Sequence, residues 1–89
     1  MITFKNDDGG YQNWVRKNHN GYVVNCTPSA LAAILSLHRA DCSTISIRKR
    51  TTLTANGHIK TCANDRERLV KWAKENFGHT PLPCGVCKP

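Results

Sequence analysis

Two short stretches carry the residues best suited to chemistry. Leu37-His38-Arg39-Ala40-Asp41-Cys42 sets a histidine and a cysteine with three residues between them. Pro83-Cys84-Gly85-Val86-Cys87 sets two cysteines with two residues between them. A Cys-x2-Cys turn presents two thiolates along one edge of a tetrahedron, and a His-x3-Cys turn can present the opposite edge. Zinc takes four such soft or borderline ligands at about 2.0–2.3 Å. The spacing predicts one zinc ion held by His38, Cys42, Cys84 and Cys87, with Gly85 easing the tight turn of the second pair. Cys62 is the alternate fourth ligand, which would make an all-thiolate site, and Cys26 is another candidate. The plainer role for either is that of a buried thiol packing as a small hydrophobe. His19, His58 and His79 read as solvated loop residues.

A chain of 89 residues makes one small domain, residues 1–89, with a marginal core. Domains of this size commonly need a metal, a disulfide or a partner as a staple. Five cysteines are an odd number, so a disulfide framework would leave one thiol over. Redox Cys-x2-Cys pairs sit at helix N-termini, whereas Cys84 and Cys87 lie among prolines. Zinc is therefore the expected cofactor. It would close the long loop between Cys42 and Cys84, which restricts the unfolded chain. No apolar run approaches the roughly 20 residues of a membrane span, and residues 1–8 lack the apolar core of a signal peptide. The expectation is a cytoplasmic chain with no membrane partner.

The elements that must position these ligands can be read in order. Asp7 or Asp8 caps a first helix whose apolar stripe is Tyr11, Trp14 and Val15. Asn18-His19-Asn20-Gly21 stops it, with Gly21 in the left-handed position. Tyr22 to Cys26 is β-rich and reads as a strand. A second strand over Ala33–His38 is preferred to a helix over Ala30–Leu37, because it leaves His38 at a strand end facing Cys42. Asn56-Gly57 marks a turn, and His58–Cys62 alternates as a third strand. Asn64, with Glu67 three residues on, has capping-box spacing for a last helix. Its apolar face is Leu69, Val70, Ala73 and Phe77, and Gly78 ends it. The predicted fold is α+β: an antiparallel three-stranded sheet, an N-terminal and a C-terminal helix, and a zinc-knuckle tail. Trp14, Val23, Leu37, Leu69 and Phe77 are the expected core.

The run from His38-x3-Cys42 through a helix to Gly78 and the ending Pro83-Cys84-Gly85-Val86-Cys87-Lys88-Pro89 resembles a known family. It is similar to the Ada-like zinc-binding domains, named for the metal-binding module of the Ada DNA-repair protein. The resemblance covers residues 38–89 and is most specific in its ending. It implies a small α+β domain whose four ligands fall on His38, Cys42, Cys84 and Cys87. In the repair protein the first ligand is the cysteine that accepts a methyl group from a phosphotriester. Here that position is His38, and zinc-bound imidazole is a poor methyl acceptor. The resemblance therefore implies a binding or structural version, not a repair enzyme.

Other chemistry is less well supported. Pro83-Cys84-x-x-Cys87 matches half of the zinc deaminase signature, but that reaction needs a His-x-Glu or Cys-x-Glu upstream. The only glutamates are Glu67 and Glu75, on the last helix. Four protein ligands would also close the position a catalytic zinc keeps open. No enzyme is expected. The formal charge is +7, which favours an anionic partner. Arg39, Arg48, Lys49, Arg50, Lys60, Arg66, Arg68, Lys71 and Lys74 are opposed in that stretch only by Asp41, Asp65 and Glu67. Such a surface can neutralise phosphates. Nucleic acid is the expected partner, DNA ahead of RNA. The alternative is a structural or protein-interaction zinc module.

Overall fold

The computed structural model describes residues 1–27, 34–42, 54 and 58–89. Its elements are β1 (Ile2–Phe4), α1 (Asp8–Lys17), β2 (Tyr22–Thr27), β3 (Ile34–Arg39), β4 (Ile59–Ala63), α2 (Arg66–Phe77) and β5 (Leu82–Pro83). The strands form one sheet in the order β1-β4-β2-β3-β5. β4 pairs antiparallel with both β1 and β2, β2 pairs antiparallel with β3, and β5 runs parallel to β3.

The sheet is thus five-stranded and mixed, and the expected three-stranded antiparallel sheet is incorrect. The three expected strands form its centre. The two added strands are edges of three and two residues, too short to show a period of two. Proline in a strand is tolerated at such an edge, because its missing N–H can face outward. The predicted turn at Asn56-Gly57 lies outside the described residues.

Alternation along the strands divides the core in two. Val23 and Cys62 are cross-strand partners on one face. They pack with Tyr11, Ala40 and Cys42, flanked by Phe4, Trp14 and Val15. Val24, Leu35, Leu37 and Ala63 point to the other face and pack under Leu69 and Ala73 of α2, with Val70 and Trp72 at the margin. Val23, Leu37 and Leu69 are core as expected. Trp14 is only half-buried, and Phe77 is 39% exposed. Phe77 closes the last turn of α2 and meets Trp72 edge-on at 5.7 Å instead of the sheet. Burying Leu69 contributes about 2 kcal/mol. The exposed Lys71–Glu75 pair at 4.0 Å adds little, so packing holds α2 in place.

The caps fit the local sequence with two shifts. Asp7 caps α1 by accepting from the Gly10 amide at 3.0 Å. Asp65, not Asn64, caps α2 and accepts from the amides of Glu67 and Arg68. Asn64 instead donates to the Asn18 side chain at 3.1 Å. Gly78 ends α2 with φ +79°, the left-handed conformation that favours glycine. Gly21 does not have positive φ. It is small for another reason: a Cβ there would lie 2.7 Å from the Trp14 ring. Buried Thr54 anchors the start of α1. Its amide and hydroxyl donate to Asp8 Oδ1 at 2.7 and 2.6 Å, and its hydroxyl accepts from the Asp7 amide at 2.6 Å.

Candidate metal centre

The two ligand pairs are delivered by two parallel strands. Ser36 pairs with Leu82 and Leu37 with Pro83, so the next residues, His38 and Cys84, emerge at the same level. The Cys84 amide donates to the Leu37 carbonyl at 2.9 Å and fixes that register. Each strand then turns. The Cys42 amide donates to the Arg39 carbonyl at 3.0 Å, and the Lys88 amide donates to the Cys84 carbonyl at 3.0 Å. These turns bring Cys42 and Cys87 back toward the strand ends.

The ligand atoms of His38, Cys42, Cys84 and Cys87 all lie within 4.8 Å of one another. Cys42 Sγ and Cys84 Sγ are 3.9 Å apart. A tetrahedron with zinc–sulfur bonds of 2.3 Å has edges of about 3.8 Å. The donor set and its dimensions are compatible with a metal ion such as zinc. Cys26 and Cys62 lie outside this cluster: Cys62 is fully buried in the sheet core, and Cys26 is half-buried. Gly85 has an ordinary backbone conformation and open space where a Cβ would stand, so the knuckle does not depend on glycine there.

The surroundings suit thiolate ligands. The Arg39 amide donates to Cys87 Sγ at 3.3 Å, and the Val86 amide donates to Cys84 Sγ at 3.4 Å. The Cys84 thiol is held down to about 7, first by the Cys87 amide, against desolvation, with help from the Val86 amide and the neighbouring thiols. Burial pushes Cys87 up to about 11; the Arg39 amide opposes this, and the sulfurs of Cys42 and Cys84 add to it. Charging one crowded sulfur makes the next harder to charge, and a divalent cation would relieve that repulsion. His38 is lowered by burial and then by the charge of Lys60. That favours the neutral imidazole, the form that binds metal.

No family model matches the chain, and neither curated proteins nor solved structures provide a match.

The expected basic surface is altered by the fold. Arg39, Arg68, Lys71 and Lys74 are exposed, and Arg66 is half-buried beside Glu67 at 3.3 Å. Lys60 is not part of it. It is 4% exposed, donates to Asn25 Oδ1 at 2.7 Å and lies 5.8 Å from the centre of the Tyr11 ring. Alternation places Lys60 on the face that Tyr11 covers, so the ammonium is enclosed rather than presented. Arg48, Lys49 and Arg50 lie outside the described residues. Among the described residues, no helix is long and apolar enough to cross a membrane.

Sequence reasoning missed two contributors to the centre. One is β5, whose parallel register aligns Cys84 with His38. The other is the Arg39 amide, a backbone donor to sulfur that a list of side-chain types does not reveal.

Proposed function

We propose that this protein is a small zinc-stapled domain that binds nucleic acid, with one structural zinc on His38, Cys42, Cys84 and Cys87. The convergence of those four ligand atoms carries the metal half of the reading. His38 is preferred to Cys62 as fourth ligand, because it belongs to the cluster. With four protein ligands the ion has no open position, so its role is scaffolding rather than catalysis. The same ligand positions are those implied by the Ada-like resemblance, in a form whose first ligand does not accept methyl groups.

The nucleic-acid half rests on charge. Arg39, Arg68, Lys71 and Lys74 offer exposed cations on a chain of formal charge +7. Phosphate contacts by such groups release counterions and give binding that weakens steeply with salt. DNA is the preferred partner over RNA. A second reading, a protein-interaction module, is favoured by Leu82 and Val86, which are 69% and 66% exposed around the knuckle.

Two measurements test this. Native mass spectrometry with and without chelator should count one zinc per chain, and a metal-free chain that stays fully folded would overturn the first half. Fluorescence anisotropy with DNA across a salt series should show saturable binding with a steep slope. Absence of binding at low salt would overturn the second half in favour of the protein-interaction module.

A further inference from the structure

Beside the metal centre lies a polar cavity of about 260 Å³ lined by His19, Asn20, Gly21, Tyr22, Arg39 and Asp41. One wall is the turn between α1 and β2. The other is the loop inside His38-x3-Cys42. The walls are tied together, since the Ala40 amide donates to the Gly21 carbonyl at 2.9 Å. The Gly21 amide donates to the Asn18 carbonyl at 2.8 Å, and the Arg39 amide is held by Cys87 Sγ. Both walls are therefore fixed by backbone bonds, one of them to a metal-ligand sulfur.

We infer that this cavity receives a single unpaired guanine of a DNA strand, with Arg39 and Asp41 reading opposite edges of the base. The inference rests on the nucleic-acid reading above and makes it specific. Arg39 and Asp41 line one cavity with opposite charges, and neither has a side-chain ion pair among the described residues. A phosphate would gain from Arg39 but would be repelled by Asp41. Guanine suits both: its O6 and N7 accept from a guanidinium. Its N1–H and N2–H2 can donate to a carboxylate when the base is unpaired. Asn20 adds an amide at the rim, and half-buried Tyr22 supplies an aromatic wall of the kind bases pack against. Tyr22 is the cross-strand partner of both Arg39 and Ala63, and α2 begins three residues after Ala63. A strand with one base in the cavity can thus run toward the basic residues of the helix.

The test uses the zinc-loaded full chain and three labelled strands. These are a short oligothymidine with one central guanine, the same strand with an abasic site there, and the unsubstituted strand. The guanine strand should bind about tenfold more tightly than the other two. Asp41→Asn should remove that advantage without weakening binding to plain oligothymidine or changing the zinc content, and Asn20→Ala should reduce it. Equal affinity for all three strands would overturn the guanine site and leave general nucleic-acid binding standing. No binding to any strand would overturn both. A guanine preference that survives Asp41→Asn would place the base elsewhere and also overturn the assignment.

Discussion

The backbone amide of Arg39 donates to the sulfur of Cys87 at 3.3 Å, across 48 positions of sequence. This bond ties the end of β3 to the knuckle after β5 through a backbone donor and a ligand sulfur. It also shows how the two ligand pairs share one scaffold: each loop supplies both sulfur and the amides that stabilise sulfur.

The first prediction concerns the ligand set. Structural zinc contributes on the order of 10 kcal/mol in zinc-finger peptides, comparable to the whole stability of a small domain. Cys84→Ser and His38→Gln should therefore lose stoichiometric zinc and cooperative thermal unfolding together. Cys62→Ser should keep one zinc per chain and lower stability by about 1–2 kcal/mol, because its cost is a change within a packed core. Native mass spectrometry and thermal melts read both quantities. The reverse pattern, zinc kept by His38→Gln and lost by Cys62→Ser, would move the fourth ligand to Cys62.

Thiol reactivity gives a second check with a defined pH direction. Burial pushes Cys62 up to about 12 and also raises Cys26. A raised thiol holds less reactive thiolate at any given pH, so reactivity should climb only as the solution becomes strongly basic. With metal bound, iodoacetamide near pH 8 should label Cys26 slowly and Cys62 barely, since Cys62 is also fully buried. Chelation, which removes the staple and unfolds the chain, should abolish this protection and bring Cys62 up to the rate of the other thiols. Peptide mapping by mass spectrometry follows the order. Labelling of Cys62 before Cys26 in the metal-loaded protein would contradict the packing described.

What could be read from residue order depended on range. His-x3-Cys and Cys-x2-Cys are local spacings, so the four clustered residues were legible. So were β2, β4 and α2, whose alternation or helical stripe runs for five residues or more. The edges were not, because three residues of β1 and two of β5 carry no periodic signal. Lys60 shows a different failure. A lysine in an alternating strand reads as the solvent side, yet here that side is roofed by Tyr11 from an element 49 positions away. Phe77 has the right spacing from Leu69 and Ala73, but at the last turn of α2 it meets Trp72 and stays 39% exposed. The cap moved by one residue because Asn64 and Asp65 are both good caps, and the pairing of Asn64 with Asn18 decides between them.

A third prediction separates presented cations from enclosed ones. If the basic surface binds DNA, Lys71→Gln and Lys74→Gln should each weaken binding uniformly and lower the salt slope by about one. Lys60→Met should leave the slope unchanged. It should instead lower folding stability by about 1–3 kcal/mol, since it removes the donor to Asn25 Oδ1. Anisotropy titrations and urea melts give the two readouts. A slope that falls with Lys60→Met would mean that the ammonium reaches phosphate.

The two glycines that bracket the tail should behave oppositely. Gly78 has φ +79° with nothing within 4 Å of a Cβ placed there, so Gly78→Ala meets no clash and only backbone strain. The expected cost is about 1–2 kcal/mol. Gly85 also has open space but no positive φ, so alanine there is unstrained. Gly85→Ala should bind zinc as tightly as the parent and gain about 0.4–1 kcal/mol, because alanine narrows the unfolded ensemble. Melting curves and a competitive zinc titration distinguish the two effects. Loss of zinc affinity in Gly85→Ala would show that the knuckle tightens around its ion through a conformation that only glycine can reach, and that the backbone between Cys84 and Cys87 is reshaped on metal binding.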